Sequence, residues 1–244
     1  MITIKAPDLR VAQDQLDKFA KQVPFATALT LTNLAKRVQK GEVSVMEKRF
    51  DRPTRTTLNS VFIKPATKTR LQSKVWLKDA FGASIPADKY LQAQVYGGTR
   101  ARKRFEKALI RRGLMRPDQY AMPNKAFLDP HGNIKGQLAM KILSGLGAAE
   151  STSGSQHNAT NSKRSRKKGN AWRYFVGEVD GEAGVWERKK IGREIGVRPV
   201  FIFTDAAPRY RVRVPFFKIA DNIVKARFDE EFAKAFEQAV ATAR

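Results

Sequence analysis

The chain has 244 residues, with 47 Lys and Arg against 23 Asp and Glu, so its formal charge at pH 7 is +24. An imbalance of that size disfavours a free enzyme acting on cationic substrates and favours a polyanion or an acidic protein surface as partner. Apolar residues make up 42% of the chain, a little under the ~45–50% usual for globular domains yet enough for a core, which excludes wholesale disorder. Cysteine is absent, which removes disulfides, thiol nucleophiles and thiolate metal sites and suits assembly in a reducing cytoplasm. The opening Met1-Ile2-Thr3-Ile4-Lys5-Ala6-Pro7 lacks an apolar run of signal-peptide length, so no leader is expected. No segment approaches the ~20 apolar residues of a membrane span, and a soluble protein is expected.

Along the first 40 residues, Leu9, Ala12, Leu16, Phe19, Ala20 and Val23 recur at the period of one buried helical face. Pro24 predicts a break or kink, after which Phe25, Ala28, Leu31, Ala35 and Val38 resume the pattern until Gly41. The reading is an amphipathic helix pair packed on a sheet. Residues 42–60 are polar, and Arg52-Pro53-Thr54 marks a loop or a short helix start. Two strand-like runs follow, Val61-Phe62-Ile63-Lys64 and Lys74-Val75-Trp76-Leu77-Lys78. The second, charged at both ends, suits an edge strand or an exposed hairpin arm. Lys64, Lys68, Arg70 and Lys74 make the connection a basic turn.

The stretch 100–112 reads as a helix with Thr99 as N-cap and Gly113 as stop. Phe105, Ala108 and Leu109 form its apolar face, and Arg100, Arg102, Lys103, Arg104, Lys107, Arg111 and Arg112 cover the rest. A loop carrying Pro117, Pro123 and Pro130 then leads to a second helix at about 134–146, with Leu138, Ile142 and Leu146 as its stripe. Residues 147–171 break the composition: Ser151-Thr152-Ser153-Gly154-Ser155-Gln156-His157-Asn158 is followed by Lys163-Arg164-Ser165-Arg166-Lys167-Lys168. Too little apolar surface is present there to offset the ordering entropy, so the segment is expected to be flexible unless a partner orders it.

Beyond it the chain reads as β and then α. Trp172-Arg173-Tyr174-Phe175-Val176 alternates, Val185-Trp186-Glu187-Arg188-Lys189 returns after a Gly181/Gly184 turn, and Val200-Phe201-Ile202-Phe203-Thr204 is apolar enough to be central. Pro215 opens a final helix in which Phe217, Val224, Phe228, Phe232, Phe236 and Ala239 form a broad stripe, read as core or subunit interface. No internal repeat is present. The fold class is therefore α+β, with helices packed on a small antiparallel sheet, a long flexible insertion and a C-terminal helix. Its regions are 1–146, helical with a β-arm; 147–171, the basic insertion; and 172–244, a sheet and helix forming one composite domain with 1–95.

Catalytic constellations are missing from the sequence. His131 lies in a Pro-His-Gly-Asn turn and His157 in the low-complexity stretch, and both read as ordinary loop residues with no metal or nucleophile-base pattern. Gly145-Leu146-Gly147 fails the Walker and Rossmann spacings and ends a helix instead of following a strand. Glu178, Asp180, Glu182 and Glu187 cluster around the Gly181/Gly184 turn and read as a solvated hairpin tip, since no EF-hand loop pattern appears. No catalytic residue, metal site or cofactor is expected. The basic clusters, 100–112 and 163–168, remain as the chemistry-bearing feature. They suit nonspecific contact with a phosphate backbone, or equally a solvated face or an acidic neighbouring subunit. No base-reading motif accompanies them.

The stretch Val23-Pro24-Phe25-Ala26-Thr27-Ala28-Leu29-Thr30-Leu31-Thr32-Asn33-Leu34-Ala35 resembles the opening helix of tailed-bacteriophage minor tail protein Z and tail-completion proteins. The C-terminal half is similar to the same group, with Gly184-Val185-Trp186-Glu187-Arg188, then Val200-Phe201-Ile202-Phe203, then Phe228 and Phe232-Ala233-Lys234-Ala235-Phe236. So is the centre, with Tyr96-Gly97-Gly98-Thr99-Arg100, Arg112-Gly113-Leu114, Leu128-Asp129-Pro130-His131-Gly132-Asn133 and Gly136-Gln137. The resemblance covers most of the chain outside 147–171 and rests on texture and order of segments.

It implies a structural virion protein in tail completion or head-tail joining, located at the tail or neck and in the host cytoplasm during assembly. It also implies a ring of identical subunits in heterologous contact, with neck, adaptor, portal or tail proteins as neighbours. On that view the arm of Lys64, Lys68, Arg70, Lys74 and Trp76, and the 147–171 segment, reach adjacent subunits. Arg100, Arg102, Lys103, Arg104, Lys107, Arg111, Arg112, Lys163, Arg164, Arg166, Lys167 and Lys168 contact DNA or subunits. The alternative from another class is a nonspecific nucleic-acid-binding protein acting in DNA packaging or condensation.

Overall fold

Helices, hairpins and one four-stranded antiparallel sheet alternate along the chain in a computed structural model that describes residues 9–80, 85–150 and 157–242, with side chains from residue 17 onward. In order they are α1 (Leu9–Arg49), α2 (Arg55–Leu58), β1 (Val61–Lys64), β2 (Lys74–Leu77), α3 (Ala87–Tyr90), α4 (Gln92–Tyr96), β3 (Gly98–Thr99), α5 (Arg104–Arg111) and β4 (Tyr120–Pro123). Then come α6 (Gly136–Gly145), α7 (Lys163–Lys168), α8 (Asn170–Arg173), β5 (Tyr174–Val179), β6 (Glu182–Ile191), β7 (Glu194–Thr204), β8 (Arg209–Tyr210) and α9 (Phe216–Ala241). This is an α+β protein closed by a C-terminal helix, and among the described residues no helix is long and apolar enough to cross a membrane.

The chain divides into two compact units, 1–96 with 212–244, and 97–211. The division differs from the one expected at 147 and 171. Strand β4 pairs with β7 in one sheet, so part of the expected N-terminal region folds with the C-terminal strands. Helix α9 packs with the first 96 residues, as a composite of 1–95 with 172–244 would have it, whereas strands β5, β6 and β7 do not join them.

In the first unit α1 runs unbroken for 41 residues through Pro24, against the expected break. The missing N–H and ring clash of an interior proline cost about 3 kcal/mol. Packing on one helix, α9, offsets that from both sides of Pro24: Phe19 meets Phe236 with ring centroids 6.4 Å apart, while Ala26 clusters with Ala235, Ala239 and Phe232. Thr30, fully buried, donates to the Ala26 carbonyl at 2.8 Å. Gly41 is not the stop either. A Cβ there would meet Ile223 Cδ1 of α9 at 2.5 Å, so this glycine serves close helix approach inside α1. Lys48 and Arg49 favour the C-terminal end of the helix dipole, and Arg52 at φ 48° with Pro53 ends the run. The Thr54 hydroxyl then accepts from the Thr57 N–H and caps α2, a short helix at the expected place.

Strands β1 and β2 coincide with the two runs read from sequence and pair as an antiparallel hairpin. It lies back on α1: Gln39 Nε2 donates to the Val61 carbonyl at 2.6 Å, the Ala66 N–H to Thr32 Oγ1 at 3.1 Å, and Lys68 sits 4.9 Å over the Phe25 ring. The expected stripe of α9 divides. Phe232 and Phe236 pack inward with Ala235 and Ala239, but Phe217 is 64% exposed, and Val224 and Phe228 are exposed as well. Phe216 and Ile219, one and two positions away from Phe217, face the core instead.

The second unit is built on a sheet in the order β4-β7-β6-β5, with β7 central as its apolar run predicts. Pro117, Pro123 and Pro130 suggest an uninterrupted loop, yet β4 pairs with β7 along Tyr120–Pro123. Proline is tolerated there because β4 is an edge strand. Leu109, Ile142, Tyr174, Val185, Val200 and Phe201 form the core, and Phe105 stacks on Phe201 at 4.4 Å. Gly184 lies inside β6 and not in the turn: a Cβ there would sit 2.2 Å from the Phe201 carbonyl oxygen. Gly184→Ala is therefore expected to lose about 2–3 kcal/mol of stability by overpacking, measurable as a shifted urea midpoint followed at Trp186.

Thr99 is a residue of β3, paired with Arg209, and not a helix cap. The residue before α5 is Lys103, whose N–H donates to Glu106 Oε2 at 2.7 Å. Trp172 and Arg173 belong to α8 and not to a strand. The 147–171 segment, expected to be flexible, is structured over its described parts. The Asn158 side-chain amide bonds both the N–H and the carbonyl of Ala149. Ser162 and Gly169 cap α7. Short local hydrogen bonds substitute there for the apolar burial that the composition lacks. The run Ser151-Thr152-Ser153-Gly154-Ser155-Gln156 lies outside the described residues.

Candidate interaction surfaces

The cations of the first basic cluster are mostly engaged inside their own unit. Glu106 is buried to 1% exposure, and Arg100 grips it with two bonds, to Oε2 at 2.8 Å and to Oε1 at 2.5 Å. The Ala121 N–H adds a bond at 3.0 Å, tying α5 to β4. Burial by itself would raise the Glu106 carboxyl. The hydrogen bonds from Arg100, Lys103 and Ala121 outweigh it and hold the group below its ordinary value. Arg102 donates to the Gln119 carbonyl and lies 4.5 Å over the Tyr120 ring. Arg104 and Arg111 clamp Glu150 at 2.9 and 2.5 Å. Lys103 contributes its backbone N–H. The exposed side chains of Lys107 and Arg112 have no acid partner among the described residues.

The second cluster stays open. On α7, Lys163, Arg164, Arg166, Lys167 and Lys168 are all exposed, and none forms an ion pair among the described residues. The helix has six residues, about 9 Å of axis, so five cations occupy little more than one turn and a half. In the hairpin arm, Lys64, Lys68, Arg70 and Lys74 are exposed. Trp76 is half-buried, its ring centroid 6.2 Å from that of Phe62 across the strands.

A third surface escaped the sequence reading. Strand β5 pairs with β6 only as far as Glu187, and β4 pairs with β7 only from Phe201 onward. Beyond those points β6 and β7 continue alone as a two-stranded ribbon, with Lys189 opposite Gly196, Lys190 opposite Ile195 and Ile191 opposite Glu194. Its root is anchored. Arg188 donates to the Trp172 carbonyl at 2.7 Å and lies 4.1 Å over Phe175, while Arg198 pairs with Glu187 at 2.7 Å and lies 4.5 Å over Phe127. Its end is bare: Ile191 is 63% exposed and Ile195 57%, flanked by exposed Lys189, Lys190 and Arg193. A Cβ at position 196 would meet Ile191 Cδ1 at 2.9 Å, so Gly196 clears the space that Ile191 crosses. The detectable signal was Ile191-Gly192-Arg193-Glu194-Ile195, a glycine turn between β-branched residues.

At the opposite end of β6 sits the acidic turn. Asp180 and Gly181 take positive φ, 54° and 79°, the Asp-Gly signature of a two-residue hairpin turn. Glu178, Asp180 and Glu182 are exposed there without ion-pair partners among the described residues, a solvated tip. Glu187, grouped with them by sequence, is buried and paired with Arg198. His131 and His157 lie in exposed loops, and among the described residues no cluster of His, Asp or Glu could hold a metal ion. Comparison with protein-family models, with curated proteins and with solved structures finds no match for the chain.

Proposed function

We propose that the chain is a structural virion protein of a tailed bacteriophage, acting in tail completion or head-tail joining as a subunit of an oligomeric ring. The observation that carries this reading is the β6–β7 ribbon. It is rooted by Arg188 and Arg198 yet leaves Ile191, Ile195 and both strand edges uncovered. A two-stranded ribbon alone is marginal in water, and bare apolar edges invite a protein partner. The exposed Phe217, Val224 and Phe228 of α9 add apolar surface in the other unit. The order of segments, which resembles that of tail-completion proteins, supports the neck or upper tail as its place. A reconstruction of tailed particles containing the chain tests it: density as a closed ring at the neck or upper tail is expected, and density elsewhere refutes it.

The α7 surface supports a second reading, nonspecific contact with DNA, since five exposed cations on one short helix match a phosphate backbone. Duplex binding is then expected to fall steeply with salt. Replacing Lys163, Arg164, Arg166, Lys167 and Lys168 by Gln is expected to reduce the slope of log K against log salt by up to ~4.5, about 0.9 for each phosphate no longer neutralised. Salt-titrated fluorescence anisotropy checks this, and an unchanged slope removes α7 from the DNA interface.

A further inference from the structure

We infer that the β6–β7 ribbon tip of one copy docks on the β5–β6 acidic turn of a second copy, giving a head-to-tail contact between second units. This rests on the reading of the chain as a ring subunit and adds which surfaces make the ring. Both elements belong to the same strand, β6, with Glu182 at its start and Lys189, Lys190 and Ile191 at its end. Eight residue steps at ~3.3 Å separate Glu182 from Lys190 by about 26 Å, so one strand carries opposite charges at its two ends.

Several observations select a second copy over other occupants. The tip carries Lys189, Lys190 and Arg193 against Glu194, and the turn carries exposed Glu178, Asp180 and Glu182, which form no ion pair among the described residues. In a chain with 47 basic and 23 acidic residues, three exposed acids at one turn thus stand without an ion-pair partner among the described residues, although cations abound. A phosphate backbone would answer the lysines but leave Ile191, Ile195 and the exposed Val197 in water. A protein surface covers both. Because tip and turn are different patches, the contact is heterologous, and repetition closes a ring or extends a filament.

Sedimentation velocity of the full chain at low salt tests the contact. The wild type is expected to self-associate, and raising salt to dissociate it. Lys189→Glu/Lys190→Glu makes both ends acidic, and Glu178→Lys/Glu182→Lys makes the turn basic. Each variant alone is expected to associate at least tenfold more weakly, and an equimolar mixture of the two to recover association through pairing of unlike ends. Asp180 is left in place because its positive φ favours Asp. A monomeric wild type, variants that associate as the wild type does, or a mixture no better than its components each overturns the inference. So does a tip variant that loses duplex binding alone. Rings that survive the reversals refute this contact and leave the proposed function standing, whereas rescue in a protein absent from tailed particles supports the contact and refutes the proposed function.

Discussion

Glu106→Ala is expected to cost the 97–211 unit about 3–5 kcal/mol, the usual penalty for leaving one partner of a buried ion pair behind. The substitution strands the Arg100 guanidinium, whose side chain is 14% exposed, and orphans the N–H groups of Lys103 and Ala121. Glu106→Gln, which keeps an acceptor and loses the charge, is expected to lose less. Urea unfolding followed at Trp172 and Trp186, with Trp76 replaced by Phe, reads this unit. The same site sets an acid limit. The folded-state pKa of Glu106 is depressed, so the folded form binds fewer protons. Its contribution is complete above the ordinary carboxylate value and is lost as pH falls through the lower folded value. An equal loss for Ala and Gln would show that charge, and not acceptor geometry, carries the effect.

The first unit is expected to respond to pH in the opposite sense through Glu42. This carboxyl on α1 is fully buried, and neither of its oxygens has a hydrogen-bond partner among the described residues. Burial raises its pKa from 4.5 to about 8. The folded form therefore holds a proton that the unfolded chain releases. The contribution is complete below about pH 4.5 and lost as pH rises to about 8, on the order of 3–5 kcal/mol over that window. Residues 1–96 and 212–244 contain no histidine, which leaves that window free of the usual neutral-pH titration. Glu42→Gln is expected to match the wild type near pH 5 and to exceed it at pH 8.5. Unfolding followed at Trp76, with Trp172 and Trp186 replaced by Phe, measures the difference. A difference independent of pH would mean that Glu42 is ionised in the folded state.

Local pattern made several elements legible before any coordinates. The strand-like runs at 61–64 and 74–78 form strands over 61–64 and 74–77. Pro215 begins α9, and Gly113 follows α5 at φ 71°. These features depend on neighbours in sequence: a fixed φ, a left-handed turn, a side-chain period. The errors share one cause, which is that distant partners overrode a local rule. Pro24 breaks an isolated helix but not one braced along its length by α9. Gly41 and Gly184 look like punctuation until Ile223 and the Phe201 carbonyl are seen beside them. The Phe217 and Phe228 positions continue the apparent stripe but lie off the packed face, which Phe216, Ile219 and Phe232 occupy instead.

The candidate surfaces divide along the same line. Composition alone determined that this protein carries a large excess of positive charge, has no thiol chemistry and contains cation-dense stretches at 100–112 and 163–168. Which of those cations face outward was decided by tertiary structure. Glu106 and Gln119 draw Arg100 and Arg102 inward and Glu150 pairs with the still exposed Arg104 and Arg111, while among the described residues no acid pairs with the cations of α7. The same holds for the opposite charges at the two ends of β6. Their residues are visible in the sequence, but a strand becomes an arm only where its neighbours in the sheet stop pairing, and pairing is a relation between distant segments.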